Sequence, residues 1–377
     1  MRICVLALLF SLAATSMQRT LADESAVWIG MAKPATGERE GVYRATLNTE
    51  TGAMTAPEVA AEIGTPEFLA LSPNGDRLYA ACELADGKPG VAAFEVSQDR
   101  KSLRLLNTEP INDGGACHVA TDRTGRCLFT ANYGSGAVAV FPLAEDGTIR
   151  PRSALVKHTG SGPNKQRQEG PHPHWVGTDP ENRFLFVPDL GTDRVVIYEM
   201  DLAGGTLKPH GYGQCPAGSG PRHLVFHPNG RFAYVVNELA ITVTVFAYDA
   251  SAGTLTPIET VDMLSSEPHD PAWSAAEIYV HPSGKFLYAS TRGHDSISAF
   301  RIDSESGRLK FLEHESVRGE HPRSFNLDPA GNWLLAAGRN TNTVAVFRVK
   351  GESGELEFND VIVKSPAPIC IEVQAIP

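Results

Sequence analysis

A short turn recurs seven times along this chain, at intervals of roughly 50 residues, and each copy leads into an apolar residue. Six copies contain Gly, the residue that most easily supplies the positive φ needed in a tight β-hairpin. The second copy, Arg100-Lys101-Ser102-Leu103, lacks it. The copies lie at residues 51–54, 100–103, 146–149, 204–207, 252–255, 306–309 and 353–356. A hairpin repeated at this period is typical of stacked or radial β units.

A second turn recurs between the hairpins and divides each repeat into four short strands, here called a to d in chain order. Its anchor residues are separated by 50, 57, 48, 54 and 47 residues. The anchors are Gly75, Gly125, Asn182, Gly230, Gly284 and Gly331. Six complete units result, and residues 26–63 supply only strands b, c and d of another.

The missing strand a of that incomplete unit is supplied by residues 369–373 at the other end of the chain. Pairing the two ends closes a ring and removes exposed sheet edges. The sequence therefore predicts an all-β fold, a seven-bladed β-propeller with four antiparallel strands per blade, spanning residues 23–377. A pair of β-sandwiches is the alternative, but it does not explain the even spacing. No Trp-Asp dipeptide ends a strand, which disfavours the WD40 class of propeller.

The first 22 residues have the composition of a secretory signal peptide. Arg2 precedes an apolar run at residues 3–14, and Thr20-Leu21-Ala22 offers a cleavage site before Asp23. The run is too short for a comfortable membrane span. We expect an exported chain, periplasmic or secreted, with no membrane attachment after cleavage. If residues 1–22 instead form a buried strand, the chain is cytoplasmic.

Charge and cysteine content narrow the function further. The 377 residues carry a formal net charge of −11, which disfavours nucleic-acid binding. Of six cysteines, Cys4 would leave with the signal, and the remaining five include no Cys-x-x-Cys pair. Neither a disulfide framework nor a structural zinc site is indicated.

Strand direction assigns the polar loops to one face of the propeller. The a–b turns and c–d hairpins lie on one face, and the d–a and b–c loops lie on the other. The second set is longer and rich in ionisable residues, and strand a is the innermost strand, so these residues surround the mouth of the central channel. The candidates are His118, His172, His174, Arg222, His223, Glu238, Glu277, Arg292 and Arg323.

Each candidate also has a purely structural interpretation. A single loop histidine is usually just hydrogen-bonded, and Glu238 or Arg292 alone would ordinarily be a solvated charge. Glu277 follows two alanines on an inner strand and needs a partner there, for which a neighbouring Arg is the natural choice. Taken together, the set is either a catalytic pocket or a charge-lined mouth without catalysis.

Two further motifs are weak. The segment 160–165 resembles a phosphate-binding loop but lacks its Gly-Lys-Ser/Thr ending, so a flexible loop is expected. The pair His172-x-His174 is at most half of a metal site, and no further ligands stand at a fixed spacing from it. We predict no cofactor and no metal.

Four motifs resemble the seven-bladed β-propeller lactonase family, which includes 6-phosphogluconolactonases and fungal carboxy-muconate cyclases. They are Gly170-Pro171-His172-Pro173-His174, Gly220-Pro221-Arg222-His223-Leu224 with Asn237-Glu238, Ala275-Ala276-Glu277-Ile278 with the segment 290–297, and His321-Pro322-Arg323. The resemblance extends from about residue 26 to the end.

The resemblance implies a hydrolase that opens a sugar lactone, with a small-molecule substrate and residue roles as follows. Glu238, His172 or His174 is the general base, and Arg222 and Arg292 hold the substrate anion and the oxyanion. Glu277, Arg323, His223 and His118 contact or position the substrate. Replacing Arg222 or Glu238 by Ala should cut turnover and leave folding intact.

Two other functions stay open at this point. One is the reverse chemistry, a cyclase or isomerase that forms a lactone, and the other is an exported propeller that binds a partner without catalysis. Export itself conflicts with a phosphorylated cytosolic substrate, so an unphosphorylated sugar lactone such as gluconolactone is an alternative.

Overall fold

The computed structural model describes residues 23–35, 37–265 and 267–376. The predicted signal peptide lies outside these ranges. The described part consists of 28 β-strands in seven four-stranded antiparallel sheets, with one 3₁₀ turn at Tyr133–Ser135 and no α-helix. No helix in these ranges has the length and hydropathy needed to span a bilayer.

The blades follow one another along the chain, each running outwards from strand a to strand d. Blade 1 comprises β4 (Gly64–Leu71), β5 (Arg77–Glu83), β6 (Pro89–Val96) and β7 (Leu103–Pro110). Blade 2 comprises β8 (His118–Thr121), β9 (Cys127–Asn132), β10 (Ala137–Pro142) and β11 (Ala154–Lys157). Blade 3 comprises β12 (Gly177–Thr178), β13 (Phe184–Asp189), β14 (Arg194–Asp201) and β15 (Thr206–Gln214). Blade 4 comprises β16 (Pro221–Phe226), β17 (Phe232–Asn237), β18 (Thr242–Asp249) and β19 (Thr254–Asp262).

The last three blades complete the ring. Blade 5 comprises β20 (Ser274–Val280), β21 (Phe286–Arg292), β22 (Ser296–Ile302) and β23 (Leu309–Ser316). Blade 6 comprises β24 (Pro322–Leu327), β25 (Trp333–Gly338), β26 (Thr343–Val349) and β27 (Leu356–Lys364). Blade 7 comprises β28 (Pro368–Ala375) from the C-terminus with β1 (Glu24–Met31), β2 (Gly41–Asn48) and β3 (Glu58–Glu62) from the N-terminus.

Blade 7 confirms the predicted closure. Strand β28 pairs with β1 in an antiparallel register that sets Ile371 opposite Ile29. The Gln374 side chain accepts a hydrogen bond from Trp28 Nε1 at 3.1 Å and donates one to Gly75 O in blade 1 at 2.6 Å. The terminal strand is thus tied to both its own blade and the next one.

The core lies between the blades. Each of the seven larger hydrophobic clusters joins two neighbouring blades. In β17, Phe232, Tyr234 and Val236 pack towards blade 5, whereas Ala233 and Val235 pack towards blade 3. This is the two-residue alternation of a strand buried on both faces. It explains why the aromatic strands of the sequence carry apolar residues on consecutive positions.

The two repeated turns have the backbone geometry that their sequences predict. The six a–b anchors all have positive φ, between 58° at Asn182 and 77° at Gly331. In the hairpin that lacks Gly, the positive φ of 56° is at Arg100, one residue earlier than the Gly position of the other copies. All seven hairpins therefore contain a residue with positive φ, and in one of them that residue is not glycine.

Blade 3 departs from the predicted pattern at its inner strand. Its strand a, β12, is only Gly177–Thr178, and Pro173 forms an isolated bridge with Asp189. Proline has no N–H to donate to a ladder, and Pro171 and Pro173 both precede this strand. The segment therefore loops over the mouth of the propeller before it joins the sheet.

Candidate active site

A cleft of about 590 Å³ opens on the face that carries the d–a and b–c loops. Its lining includes residues from blades 1, 2, 4, 5 and 6 and from the long loop before blade 3. This is the face to which strand direction assigned the polar loops. Its ionisable or hydrogen-bonding residues include Glu67, Tyr133, Arg167, His174, Glu238, Arg292 and Arg323.

Inner-strand bulges take several side chains in or next to the cleft out of the strand ladder. In β16 the pairing register shifts between Pro221 and His223, so Arg222 is the extra residue. A similar shift in β24 leaves Arg323 out of the ladder, and one in β20 frees Glu277. The shift in β4 includes Glu67. A bulge bends its strand and re-aims a side chain, and here four inner strands use one next to the cleft.

Glu238 is the centre of a buried charge cluster. It follows β17 and is 4% exposed. Its Oε1 accepts a hydrogen bond from Arg167 at 2.7 Å, and its Oε2 lies 3.1 Å from Arg222 Nε and 3.0 Å from an Arg292 terminal nitrogen. The Arg222 Nε contact is not aligned for a hydrogen bond, so it is ionic only. Burial alone would raise the pKa of Glu238, but the three arginines outweigh it and lower the pKa to about 2.

The guanidinium of Arg222 is held by hydrogen-bond acceptors on two inner strands, β16 and β20. It donates hydrogen bonds to Ala276 O and to His223 Nε2, the latter at 3.1 Å. Because Arg222 can only donate, His223 Nε2 must be the accepting nitrogen, and its Nδ1–H donates to Glu277 Oε1 at 2.7 Å. Glu277 was expected to pair with an Arg, and its hydrogen-bonded partner is instead this histidine. Burial raises the pKa of Glu277, and Arg222 opposes that rise.

The predicted substrate-contacting residues separate into two groups. Arg323 lines the cleft, whereas His223 lies beneath Arg222, and Glu277 and His118 line a second cavity of about 430 Å³ along the inner strands. His118 packs with its ring centroid 4.0 Å from that of Phe68. Three of the four predicted residues are thus placed beneath the cleft rather than in its wall.

His174 is the candidate histidine that lines the cleft. It is 5% exposed, and neither of its ring nitrogens has a hydrogen-bond partner among the described residues. Burial lowers the pKa of His174 well below its ordinary value, and Arg222, His223 and Arg323 lower it further. The imidazole is therefore neutral at physiological pH, which is the form that accepts a proton.

His172 has a different environment although it is two residues away. Its ring stacks on Tyr133 with centroids 4.4 Å apart. Its Nδ1 contacts Tyr133 O at 2.9 Å, and its Nε2 contacts Glu169 at 3.2 Å. Both nitrogens are occupied and the residue does not line the cleft. The ring nitrogens of His172 contact Tyr133 and Glu169, whereas His174 lines the cleft without a hydrogen-bond partner among the described residues, so the two rings have different environments.

Arg167 was missed by the sequence analysis, which expected the preceding segment to be a flexible loop. Gln168, fully buried, fixes this loop by donating to Leu190 O at 2.8 Å and to Asp193 Oδ1 at 2.7 Å. Arg167 then reaches both Glu238 and the hydroxyl of Tyr133. The length of this loop could have indicated a functional role from sequence, because residues 158–176 form the longest connection between a strand d and the next strand a.

Glu67 from blade 1 and Arg323 from blade 6 also line the cleft. Burial raises the pKa of Glu67, while Arg323 and Arg339 act against that rise. Arg323 has no ion pair or hydrogen bond of its own among the residues that the structure describes. It is thus a cation in the cleft wall that is available to a ligand, in contrast to Arg167, Arg222 and Arg292.

Comparison with known proteins places this chain in a family. The model of the family described as "Lactonase, 7-bladed beta-propeller" matches residues 26–373. A 6-phosphogluconolactonase of Bacillus subtilis is 39% identical over 292 residues, 78% of this chain and 82% of the relative. One of Formosa agariphila is 34% identical over 302 residues, covering 78% and 83%.

A solved structure gives the same result. The periplasmic gluconolactonase of Pseudomonas aeruginosa superposes with a TM-score of 0.87 at 28% identity, covering 94% of this chain and all of that one. The fold, the matched residues and these relatives agree that the chain is a carboxylic ester hydrolase of the lactonase type. It belongs to the seven-bladed β-propeller lactonase family.

Proposed function

We propose that this enzyme hydrolyses a sugar lactone, with His174 as the general base. The observation that carries the proposal is the unpaired, neutral imidazole of His174 in a cleft wall rich in guanidinium groups. A general base needs a free acceptor nitrogen within reach of the attacking water. Of the three candidate bases, His174 alone meets that condition.

Glu238 is poorly suited to be the base. Its two oxygens are already engaged by three arginines, so neither is free to accept a proton from the attacking water. Its role in the proposal is to hold Arg167 and Arg292 in the cleft wall. His172 is excluded from the base role in the same way, because both of its nitrogens are engaged.

The reaction follows from these positions. Water attacks the lactone carbonyl carbon as His174 takes one of its protons, and the carbonyl oxygen becomes an oxyanion. Arg323 and Arg292 stabilise that oxyanion, a task suited to planar guanidinium donors. The bond from the carbonyl carbon to the ring oxygen then breaks, and the ring oxygen leaves as a hydroxyl with the proton that His174 holds. The product is the open-chain hydroxy acid.

The positive potential of the cleft supports an anionic substrate or transition state. Arg222, Arg292 and Arg323 all act to lower the pKa values of His174 and His223. Such a field favours negative charge, whether it is the developing oxyanion of gluconolactone or the phosphate of 6-phosphogluconolactone. The names of the relatives support both lactones.

A lactone panel tests the proposal. Acid release is measured for gluconolactone, 6-phosphogluconolactone and simple γ-lactones, with and without a chelator, for the wild type and for His174→Gln. We expect kcat on the preferred sugar lactone to fall 10²- to 10⁴-fold in the variant, which is the usual contribution of a positioned base. His172→Gln is the matched control and should retain most of its activity.

The opposite pattern would refute the assignment of the base. If His172→Gln is inactive and His174→Gln is not, His174 is not the base. If the wild type opens no sugar lactone but forms a lactone from an unsaturated diacid, the cyclase alternative replaces hydrolysis.

We also infer that residues 1–22 are a cleaved signal peptide. Support comes from the composition of that segment and from the periplasmic relative. Cell fractionation and N-terminal sequencing test the inference. A mature chain that begins at Asp23 is expected, and an intact Met1 in the cytosolic fraction would contradict it.

A further inference from the structure

A group of three metal-ligating side chains lies outside the cleft, on the same face of blade 5. Glu267, His294 and His314 each offer one ligand atom, and these atoms all lie within 4.8 Å of one another. The Nε2 atoms of His294 and His314 are each 3.7 Å from a different oxygen of Glu267. These distances are too long for hydrogen bonds. The three groups therefore face a common gap without bonding each other.

The two histidines are fixed by secondary structure. His314 stands on β23, opposite Ser298 of β22. His294 lies in the b–c turn before β22, and Asp295 anchors that turn by accepting hydrogen bonds from Gly293 N at 3.0 Å and His321 N at 2.8 Å. The backbone of both histidines is therefore held in place before any ion arrives.

The ring orientation of His294 favours ligation. Its Nδ1 contacts Ser296 Oγ at 2.6 Å, which leaves Nε2 as the nitrogen that faces Glu267. Histidines that bind metals usually have the other ring nitrogen hydrogen-bonded in this way, which fixes the tautomer and the ring direction.

The third ligand comes from the long d–a loop before β20. This loop is tied to blade 5 by the hydrogen bond from Ser298 Oγ to Met263 O at 2.7 Å. Glu267 follows on a turn in which its N–H donates to Leu264 O at 3.1 Å. Its carboxylate is half exposed, so it can close the remaining distance to an ion by a side-chain rotation.

We propose that Glu267, His294 and His314 form a binding site for a divalent transition-metal ion, with Zn²⁺ as the best match. Two imidazoles and one carboxylate suit Zn²⁺ far better than Ca²⁺ or Mg²⁺, which prefer all-oxygen ligand sets. Zn–N and Zn–O distances of about 2.0–2.2 Å require the ligand atoms to move together by roughly 0.5–1 Å. The half-exposed carboxylate leaves a fourth position open to water.

The site differs from the sequence expectation of no metal. Its ligands stand 27 and 20 residues apart, so no fixed-spacing motif marks them. Its role would be to brace two loops that lead directly into the cleft, because Trp273 precedes Ser274 and His294 follows Arg292. The Trp273 ring already packs against His294 with centroids 4.9 Å apart.

The test is calorimetric titration of Zn²⁺ into untagged, chelator-stripped protein. We expect one equivalent to bind and the melting temperature to rise with Zn²⁺ concentration. His294→Gln and His314→Gln should each weaken binding at least tenfold. His210→Gln is the matched control, because His210 also lies beside a glutamate, Glu199, at 3.4 Å. It has no second imidazole among the candidate ligand groups of the described residues, so binding should be unchanged.

A spectroscopic measurement locates the ion independently of activity. Co²⁺ bound at this site should quench the fluorescence of Trp273, and Trp273→Phe should remove the quenching while calorimetric binding persists. If a histidine variant melts early in the presence of chelator, Glu267→Gln replaces it, since that side chain is exposed. Absence of binding, or binding that neither His294→Gln nor His314→Gln weakens, would overturn the proposal.

Discussion

Glu238 offers the sharpest test of the charge cluster, through the substitution Glu238→Gln. The carboxylate is buried within 3.1 Å of Arg222 and Arg292, which are themselves 1% and 7% exposed. At an effective dielectric constant near 20, each pair at 3 Å attracts by about 5 kcal/mol before desolvation is subtracted. Breaking a buried pair by removing one partner destabilises a protein by about 3–5 kcal/mol, because the other charge stays buried.

The pKa of Glu238 gives a second estimate. Its value falls from 4.5 to about 2 on folding, and about 2.5 pH units at roughly 1.36 kcal/mol each correspond to about 3 kcal/mol. Because the folded pKa is the lower one, this stability is present above pH 4.5 and is lost as the pH falls towards 2. The two estimates agree, so we expect Glu238→Gln to lower the free energy of unfolding by about 3–5 kcal/mol at pH 7.

The assay is urea unfolding followed by tryptophan fluorescence at fixed pH values from 7 to 3. The gap between wild type and variant should be widest at pH 7 and should narrow below pH 4.5. Glu95→Gln is the control, because Glu95 pairs with Arg104 on the surface, where loss of the pair costs less than about 1 kcal/mol. Equal midpoints for wild type and Glu238→Gln at pH 7, or a gap that acid does not narrow, would refute the reasoning. This prediction differs from the sequence-based expectation that removing Glu238 leaves folding intact, and the urea experiment decides between the two.

Three further predictions follow from individual residues. Arg323→Gln removes a cation that lowers the pKa of His174, so the acid limb of the pH–kcat/KM profile should move to higher pH; an unmoved limb would argue against His174 as the base. Gly230→Ala should lower the free energy of unfolding in urea by about 1–2 kcal/mol, because its φ of 70° is unfavourable for alanine. Gly331→Ala should lower it further, because an added Cβ would also lie 2.4 Å from His281 Nε2. Equal losses of stability in the two variants would contradict this. All five cysteines of the described part are free thiols, and burial raises the pKa of the cleft residue Cys117 to about 12. In the chain without residues 1–22, a thiol reagent at pH 8 should therefore count five thiols only after denaturation, and a fast-reacting thiol in the native protein would contradict this.

The fold could be predicted from the sequence because its signals are local. A turn that needs positive φ selects Gly or Asn, and the spacing of such residues then counts the blades. Even the closure of blade 7 could be inferred, because the N-terminal segment has strands b, c and d but no strand a, and the C-terminal segment has one unassigned strand. The exceptions are Arg100, which adopts the positive φ without being Gly, and β12, which two prolines shorten.

The side of the ring on which the site lies was also predictable, but its inner arrangement was not. Strand direction placed Glu238, His174 and Arg292 in the cleft wall. It could not show that Glu277 lies beneath the cleft, or that Arg167 reaches Glu238 from a loop. Long-range pairs such as Arg167 with Glu238 leave no periodic trace in a single sequence.

Bulges are the physical reason for this limit. A regular strand would send alternate residues into the gaps between blades, where the clusters are apolar and an arginine would be costly. At Arg222 and Arg323 the extra residue breaks that alternation, so Arg222 contacts the carboxylate of Glu238 and Arg323 lines the cleft. One interruption of the ladder thus converts a position of the core into a position of the cleft. The same repeat that builds seven similar blades can therefore carry different chemistry in each, because the bulge changes the direction of one side chain and leaves the packing between blades intact.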